Sequence, residues 1–213
     1  MTSLLRKKIS YSFNYASLAI AALNVAAFIL TGSGRNANLQ YIFGLQPVLF
    51  VKGRYYWQLL TYMFMHGSWS HLLSNMIGLI FFGIYVEKRT GSKEFILFYL
   101  LCGIFCGAAS LGIYALSGYW GVVLVGASGA VYALLLLFAV IFPRSTVFIF
   151  GLIPVPAPLL IAIYAGMAVF DQVFGMNQGV AHLTHLSGFA AAWIFCLVRY
   201  GVNPIRVWKD AFR

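Results

Sequence analysis

Gly126-Ala127-Ser128-Gly129 lies within an apolar run covering residues 120–142. Small residues are ordinary in membrane helices, where they let backbones approach closely. Two features say more. Gly126 and Gly129 flank Ser128, which bares its hydroxyl and lets another group come near. A second apolar run carries His182 and His185, and ionisable groups at membrane depth mark functional positions by default. A serine and a histidine in hydrocarbon point to a nucleophile and its base.

Of 213 residues, 62% are hydrophobic and 8% charged, against about 25% charged in a soluble domain. The chain reads as an all-α polytopic membrane protein, one domain over residues 1–213. Its net charge of +10 sits mostly at the ends of apolar runs, as membrane topology requires. There is no basic patch interleaved with aromatics, which excludes nucleic acid as a partner. Cys102, Cys106 and Cys196 lie in apolar runs and read as small hydrophobes rather than a disulfide framework. The acids are Glu87, Glu94, Asp171 and Asp210. They offer no membrane-embedded pair for aspartyl chemistry. His182-Leu183-Thr184-His185 lacks the glutamate of a zinc protease motif, and no metal or cofactor is expected.

The apolar runs predict six spans. Arg6, Lys7 and Lys8 precede a run over 11–30. That is nearer a full span of ~20 residues than the 7–15 of a signal peptide core, so it reads as an uncleaved first helix. Residues 31–70 form a long connection, opened by Gly32-Ser33-Gly34-Arg35-Asn36. Tyr55, Tyr56, Trp57 and Trp69 beside Lys52 and Arg54 suit the membrane–water interface. A short second span over 71–86 closes on Glu87-Lys88-Arg89. The third covers 94–116, with Gly103, Gly107 and Gly112 marking a face for close helix contact. A fourth helix from Ser128 to 142 is only ~22 Å long, so residues 119–127 must enter the membrane as irregular backbone. Ser128 then sits at a helix start, beside orphan N–H groups and the positive dipole end. Pro154, Pro156 and Pro158 interrupt the next run. The fifth span covers 157–174, a loop 175–179, the sixth span 181–200, and a basic tail 201–213.

Charge sets the orientation. Arg6, Lys7, Lys8, Lys88, Arg89, Lys93, Arg144, Arg199, Arg206, Lys209 and Arg213 fall on one side, and Arg35, Lys52 and Arg54 on the other. Both termini are thereby cytoplasmic. This topology brings His71, Ser128, His182 and His185 toward the outer face. His71 and Asn75, four residues apart, share a helix face. They can donate to an oxyanion or simply join helices. Either His182 or His185 can serve Ser128 as base. Gly188 and Ala192 would let the sixth helix press on Gly129 and Ala133, bringing His185 within reach of Ser128. Tyr132, one turn after Ser128, can buttress the imidazole. Asp171 is poorly placed to orient it, so a Ser–His dyad is favoured over a triad.

These motifs resemble the rhomboid intramembrane serine proteases across residues 55–200. They are His71-x-x-x-Asn75, Glu87-Lys88-Arg89-x-Gly91, Gly126-x-Ser128-Gly129-x-x-Tyr132 and Ala181-His182-x-x-His185-x-x-Gly188. The resemblance implies a six-helix bundle with an interfacial loop between helices 1 and 2. It implies Ser128 as nucleophile and His185 as base, with Tyr132 stacked on it. His71, Asn75 and the Ser128 N–H would form the oxyanion hole, and Glu87 would tie helix ends. The fifth helix and residues 171–179 would be gate and cap. Two departures stand out: Trp57-Gln58 replaces the family's frequent Trp-Arg, and Ala192 replaces a second glycine after Gly188.

The function expected is cleavage of transmembrane protein substrates within the lipid bilayer, with a bacterial inner membrane as the setting. A non-proteolytic binder of membrane proteins is the main alternative. A histidine-dependent transporter is another, weakened by the lack of an inverted repeat.

Overall fold

The computed structural model describes residues 9–149, 151–174 and 181–213, and for 171–174, 181 and 182 the backbone alone. Arg6, Lys7 and Lys8, the loop over 175–179 and the side chains of Asp171 and His182 therefore lie outside the described residues.

The chain is mostly helical. α1 (Ala16–Leu30) is followed by three short helices, α2 (Ala37–Phe43), α3 (Pro47–Val51) and α4 (Gln58–Thr61), the last running into a 3-10 turn at Tyr62–Phe64. Two long helices follow, α5 (Trp69–Thr90) and α6 (Ser92–Leu116), then α7 (Ser128–Ile141). A hairpin of β1 (Thr146–Ile149) and β2 (Ile153–Pro156) leads to α8 (Ala157–Phe174), α9 (Ala181–Phe195) with a π-turn at Cys196–Tyr200, and α10 (Pro204–Ala211). Among the described residues, Trp69–Thr90, Ser92–Leu116 and Leu183–Tyr200 are long and apolar enough to cross a membrane. Ala16–Leu30, Ser128–Ile141 and Ala157–Phe170 are shorter apolar helices.

Nearly every residue of α7 is buried, because its sequence is apolar on all sides and α5, α6, α8 and α9 all pack around it. Small residues make that close approach possible. A Cβ at Gly188 of α9 would overlap the Gly129 carbonyl oxygen of α7, and one at Gly129 would come within 2.8 Å of the Cys106 Cβ of α6.

Several boundaries differ from the sequence expectation, each for a local reason. α5 is not short. It begins at Trp69 because the Ser68 hydroxyl accepts from the His71 N–H, capping an orphan donor. It runs on to Thr90, stops at Gly91 with φ +89°, and carries Glu87 buried near its end. The Glu87 carboxylate accepts from the Ala16 N–H at 2.6 Å, the Ser17 N–H at 2.9 Å and the hydroxyls of Ser17 and Ser92. It thus caps the positive N-terminus of α1. Two of the α6 glycines receive α4 and the 3-10 turn that follows it rather than a long helix. Gly103 and Gly107 admit Met63 and Tyr62, and the Tyr62 hydroxyl donates to the Gly103 carbonyl at 2.6 Å. Gly112 faces open space. The proline-rich stretch pairs as a two-stranded hairpin, Thr146 opposite Pro156, and the expected tail forms α10. The fold is therefore not purely helical.

Irregular backbone does precede α7. Residues 119–127 are held by α2, α3 and their linker through a Leu45–Leu124 bridge. The Gln46 amide adds a bond to the Gly121 carbonyl at 2.9 Å. Buried non-helical backbone is thus satisfied by its neighbours.

Candidate active site

Ser128 is the first residue of α7, half-buried at its N-terminus. His185 lies one turn into α9, and its Nε2 stands 3.1 Å from the Ser128 Oγ. The Tyr132 ring stacks on the His185 imidazole, centroids 4.1 Å apart and planes at 5°. Tyr164 of α8 and Phe189 of α9 pack on Tyr132 in turn, at 5.8 and 5.3 Å. One face of the imidazole is therefore covered by Tyr132, which Tyr164 and Phe189 hold in place.

His71 occupies the opposite wall. Gly126 has φ +116°, and a Cβ there would lie 2.6 Å from the His71 Nε2. Only glycine meets both demands, since the region is closed to side chains and the imidazole fills the space. The Gly126 N–H donates to the Tyr62 carbonyl at 2.9 Å, locking the strand that leads into Ser128. Asn75 is buried, and its amide donates to the His71 carbonyl at 2.9 Å. One of its two N–H groups is thus spent on its own helix.

These groups line one cavity of about 600 Å³. His71, Asn75, Ser128, Tyr132, Thr184 and His185 form its polar end, while Phe81, Phe82, Val147, Phe148 and Leu160 make the rest apolar. An apolar cavity with a few converging polar groups has the general character of a ligand site. No group of three metal-ligating side chains occurs among the described residues. His182 lies on α9 one turn before His185. Glu87 is at the far end of α5, joined to α1 and α6.

Comparison with known proteins bears on this site. Residues 53–201 match the family model described as the rhomboid domain. The chain belongs to the rhomboid family. It is 33% identical to RHOMBOID-like protein 4 of Arabidopsis thaliana over 75% of this chain and 38% of that protein. It is 30% identical to the mitochondrial RHOMBOID-like protein 12 of the same plant, over 83% and 56%. It is also 30% identical to rhomboid protease GluP of Bacillus subtilis (strain 168), over 58% and 23%. The chain thus spans about half or less of the length of these relatives. With its apolar helices, this rhomboid is an integral membrane protein.

Two features of the rhomboid were not found by sequence reasoning. At the Trp57-Gln58 departure, Gln58 is fully buried and makes its own anchor. Its amide donates to the carbonyls of Tyr41 at 3.0 Å and Ile42 at 3.2 Å, and its oxygen accepts from the Gln46 N–H. Trp57 adds an indole bond to Ile42. The second feature is His66. It is fully buried, and its ring lies edge-on to His71 with centroids 5.0 Å apart. Burial, with His71 beside it, pushes the His66 imidazole down to about 4. The signal available was a second histidine five residues before His71, across a turn where helical periodicity does not apply.

Proposed function

We propose that this rhomboid is an intramembrane serine endopeptidase that cuts transmembrane segments of membrane proteins near the outer membrane face. The observation that carries the reading is the Ser128 Oγ to His185 Nε2 approach of 3.1 Å, at the polar end of an otherwise apolar cavity. In this reading His185 Nε2 takes the Ser128 hydroxyl proton as Oγ adds to a peptide carbonyl carbon. The carbonyl oxygen becomes an oxyanion held by His71, Asn75 and the Ser128 N–H. Such donors are each worth about 2.7–4 kcal/mol in the transition state. Asn75 has a second amide N–H to offer beside the one given to the His71 carbonyl. The intermediate collapses, the C–N bond breaks and His185 passes its proton to the leaving amine. Water, deprotonated by His185, then releases the acyl group from Ser128.

The proposed setting is one polytopic domain over residues 1–213, core 55–200. α1, α5, α6, α7, α8 and α9 are its six spans, α2 to α4 lie in the outer interface, and both termini are cytoplasmic. The relatives named above include a mitochondrial and a bacterial protein, so they lend no support to the bacterial inner membrane in particular. A non-proteolytic binder has no use for a serine and histidine held this close.

The test is proteolysis of a reporter with one transmembrane segment, co-reconstituted with the protein in liposomes. Cleavage by wild type that Ser128→Ala abolishes is the expected result. Cleavage that survives Ser128→Ala overturns the assignment.

A further inference from the structure

α10 is built as an interfacial helix. Gly201, at φ +70°, turns the chain away from the π-turn that ends α9. The Asn203 side chain accepts from the Ile205 N–H and Pro204 opens the helix, both favourable at an N-terminus. At 100° per residue its side chains fall into three sectors. Val207 and Trp208 turn inward and pack on the core. Ile205 beside them is 45% exposed, as is Phe212 just past the helix end at 61%. Arg206, Lys209 and Asp210 fill the remaining sector, followed by Arg213 beyond the helix, all exposed.

The inward sector holds the serine-bearing helix. The Trp208 indole donates to the Ala139 carbonyl at 2.9 Å, one of the last carbonyls of α7 and otherwise an orphan. Arg144, just past the end of α7, returns the favour by donating Nε–H to the Ala211 carbonyl at 2.6 Å. Each helix therefore caps the other's C-terminus, at the end of α7 remote from Ser128.

We propose that α10 binds the anionic lipid headgroups of the leaflet at this end of the molecule and so fastens the base of α7. Leu197 and Val198, at the end of α9 that leads into α10, are also apolar and 39% and 44% exposed, which fits acyl chains at this end. The cationic sector adjoins Ile205, so Lys209, Arg213 and Arg206 reach headgroup phosphates while Ile205 and Phe212 enter hydrocarbon. Arg144, Lys88, Arg89 and Lys93 make the same end cationic. Asp210 pairs with Arg213 at 3.5 Å, leaving a net positive helix. This placement is independent of whether Ser128 is catalytic.

Hydrogen exchange of the full chain in lipid nanodiscs tests it. Discs of neutral phosphatidylcholine are compared with discs containing roughly a third phosphatidylglycerol. Amides of residues 205–212 are expected to exchange about tenfold slower in the anionic discs, and the combined Arg206→Gln, Lys209→Gln and Arg213→Gln variant to lose that difference. Peptides from α6 report that the variant is folded and exchange alike in both discs. Equal exchange of α10 in the two lipids overturns the proposal, as does a difference that persists in the variant. Protection that follows the number of chains per disc instead of lipid charge also overturns it, and assigns the surface to a second copy.

Discussion

Two residues outside the proposed Ser–His dyad shape the candidate site. Gly126 is one. Its φ of +116° and the His71 ring 2.6 Å from where a Cβ would stand predict that Gly126→Ala displaces either the ring or the strand before Ser128. Such strain costs about 1–3 kcal/mol, and a shift of about 1 Å costs roughly a hundredfold in rate. Proteolysis by the variant should fall by about that factor with folding retained. Unchanged proteolysis would remove the His71 contact from the account. His66 is the other. Its folded value of about 4 lies below the ordinary 6.5, so the unfolded chain binds that proton more readily. The stability His66 contributes is complete above pH 6.5 and lost as pH falls toward 4. Melting temperatures of wild type should drop across that window more steeply than those of His66→Phe. Parallel curves would contradict the assignment. His71 and His185 could be read from sequence because each falls on a helix with polar partners at helical spacing. His66 could not, since its neighbour is set by a turn.

At the scale of elements, one buried pair fixes the register of α9. The Thr184 hydroxyl meets the Ser110 hydroxyl of α6 at 2.7 Å, and the Thr184 methyl lies 3.4 Å from a Cβ position at Gly129. Thr184 thus joins α6, α7 and α9 one residue before His185. Thr184→Val leaves the buried Ser110 hydroxyl unpaired and should destabilise by about 1–3 kcal/mol, and Ser110→Ala should cost less because Thr184 keeps the Tyr114 hydroxyl. The double variant removes both hydroxyls and should recover part of the stability lost by Thr184→Val. If the pair also positions His185, the double variant stays about tenfold slower in proteolysis while Thr184→Ser keeps wild-type rates. Full recovery of rate with stability would make the pair structural only. The long apolar helices were legible because an apolar run of their length has few alternatives. Short elements were not. The hairpin alternates over only four residues per strand and contains prolines, and α10 spans two turns, too few for a period to stand out. The α6 glycines announced a close approach without naming the partner, which proved to be Tyr62 and Met63.

For the whole molecule, the proposed protease function carries a demand on its substrate. A helical peptide carbonyl is hydrogen-bonded and shielded, so on that proposal a segment has to unwind before Ser128 can reach it. Reporters with glycine or another helix-breaking residue beside the cut should be cleaved faster than ones stiffened with leucine, by a factor of about ten for ~1 kcal/mol or slightly more of local helix stability. Equal rates would mean that unwinding is no part of the reaction. Membrane character and the approach of Ser128 to His185 were both readable, since composition bounds the first and small residues on facing helices the second. How α2 to α4 support residues 119–127 was not, because that support runs through backbone bonds such as Leu45 to Leu124, which no side-chain pattern encodes.

The most direct measurement is labelling of the purified protein with a fluorophosphonate probe, for wild type, Ser128→Ala and His185→Ala. A serine activated by the histidine 3.1 Å away predicts labelling of wild type alone. Robust labelling of His185→Ala, or none of folded wild type in detergent and in lipid, would contradict the account.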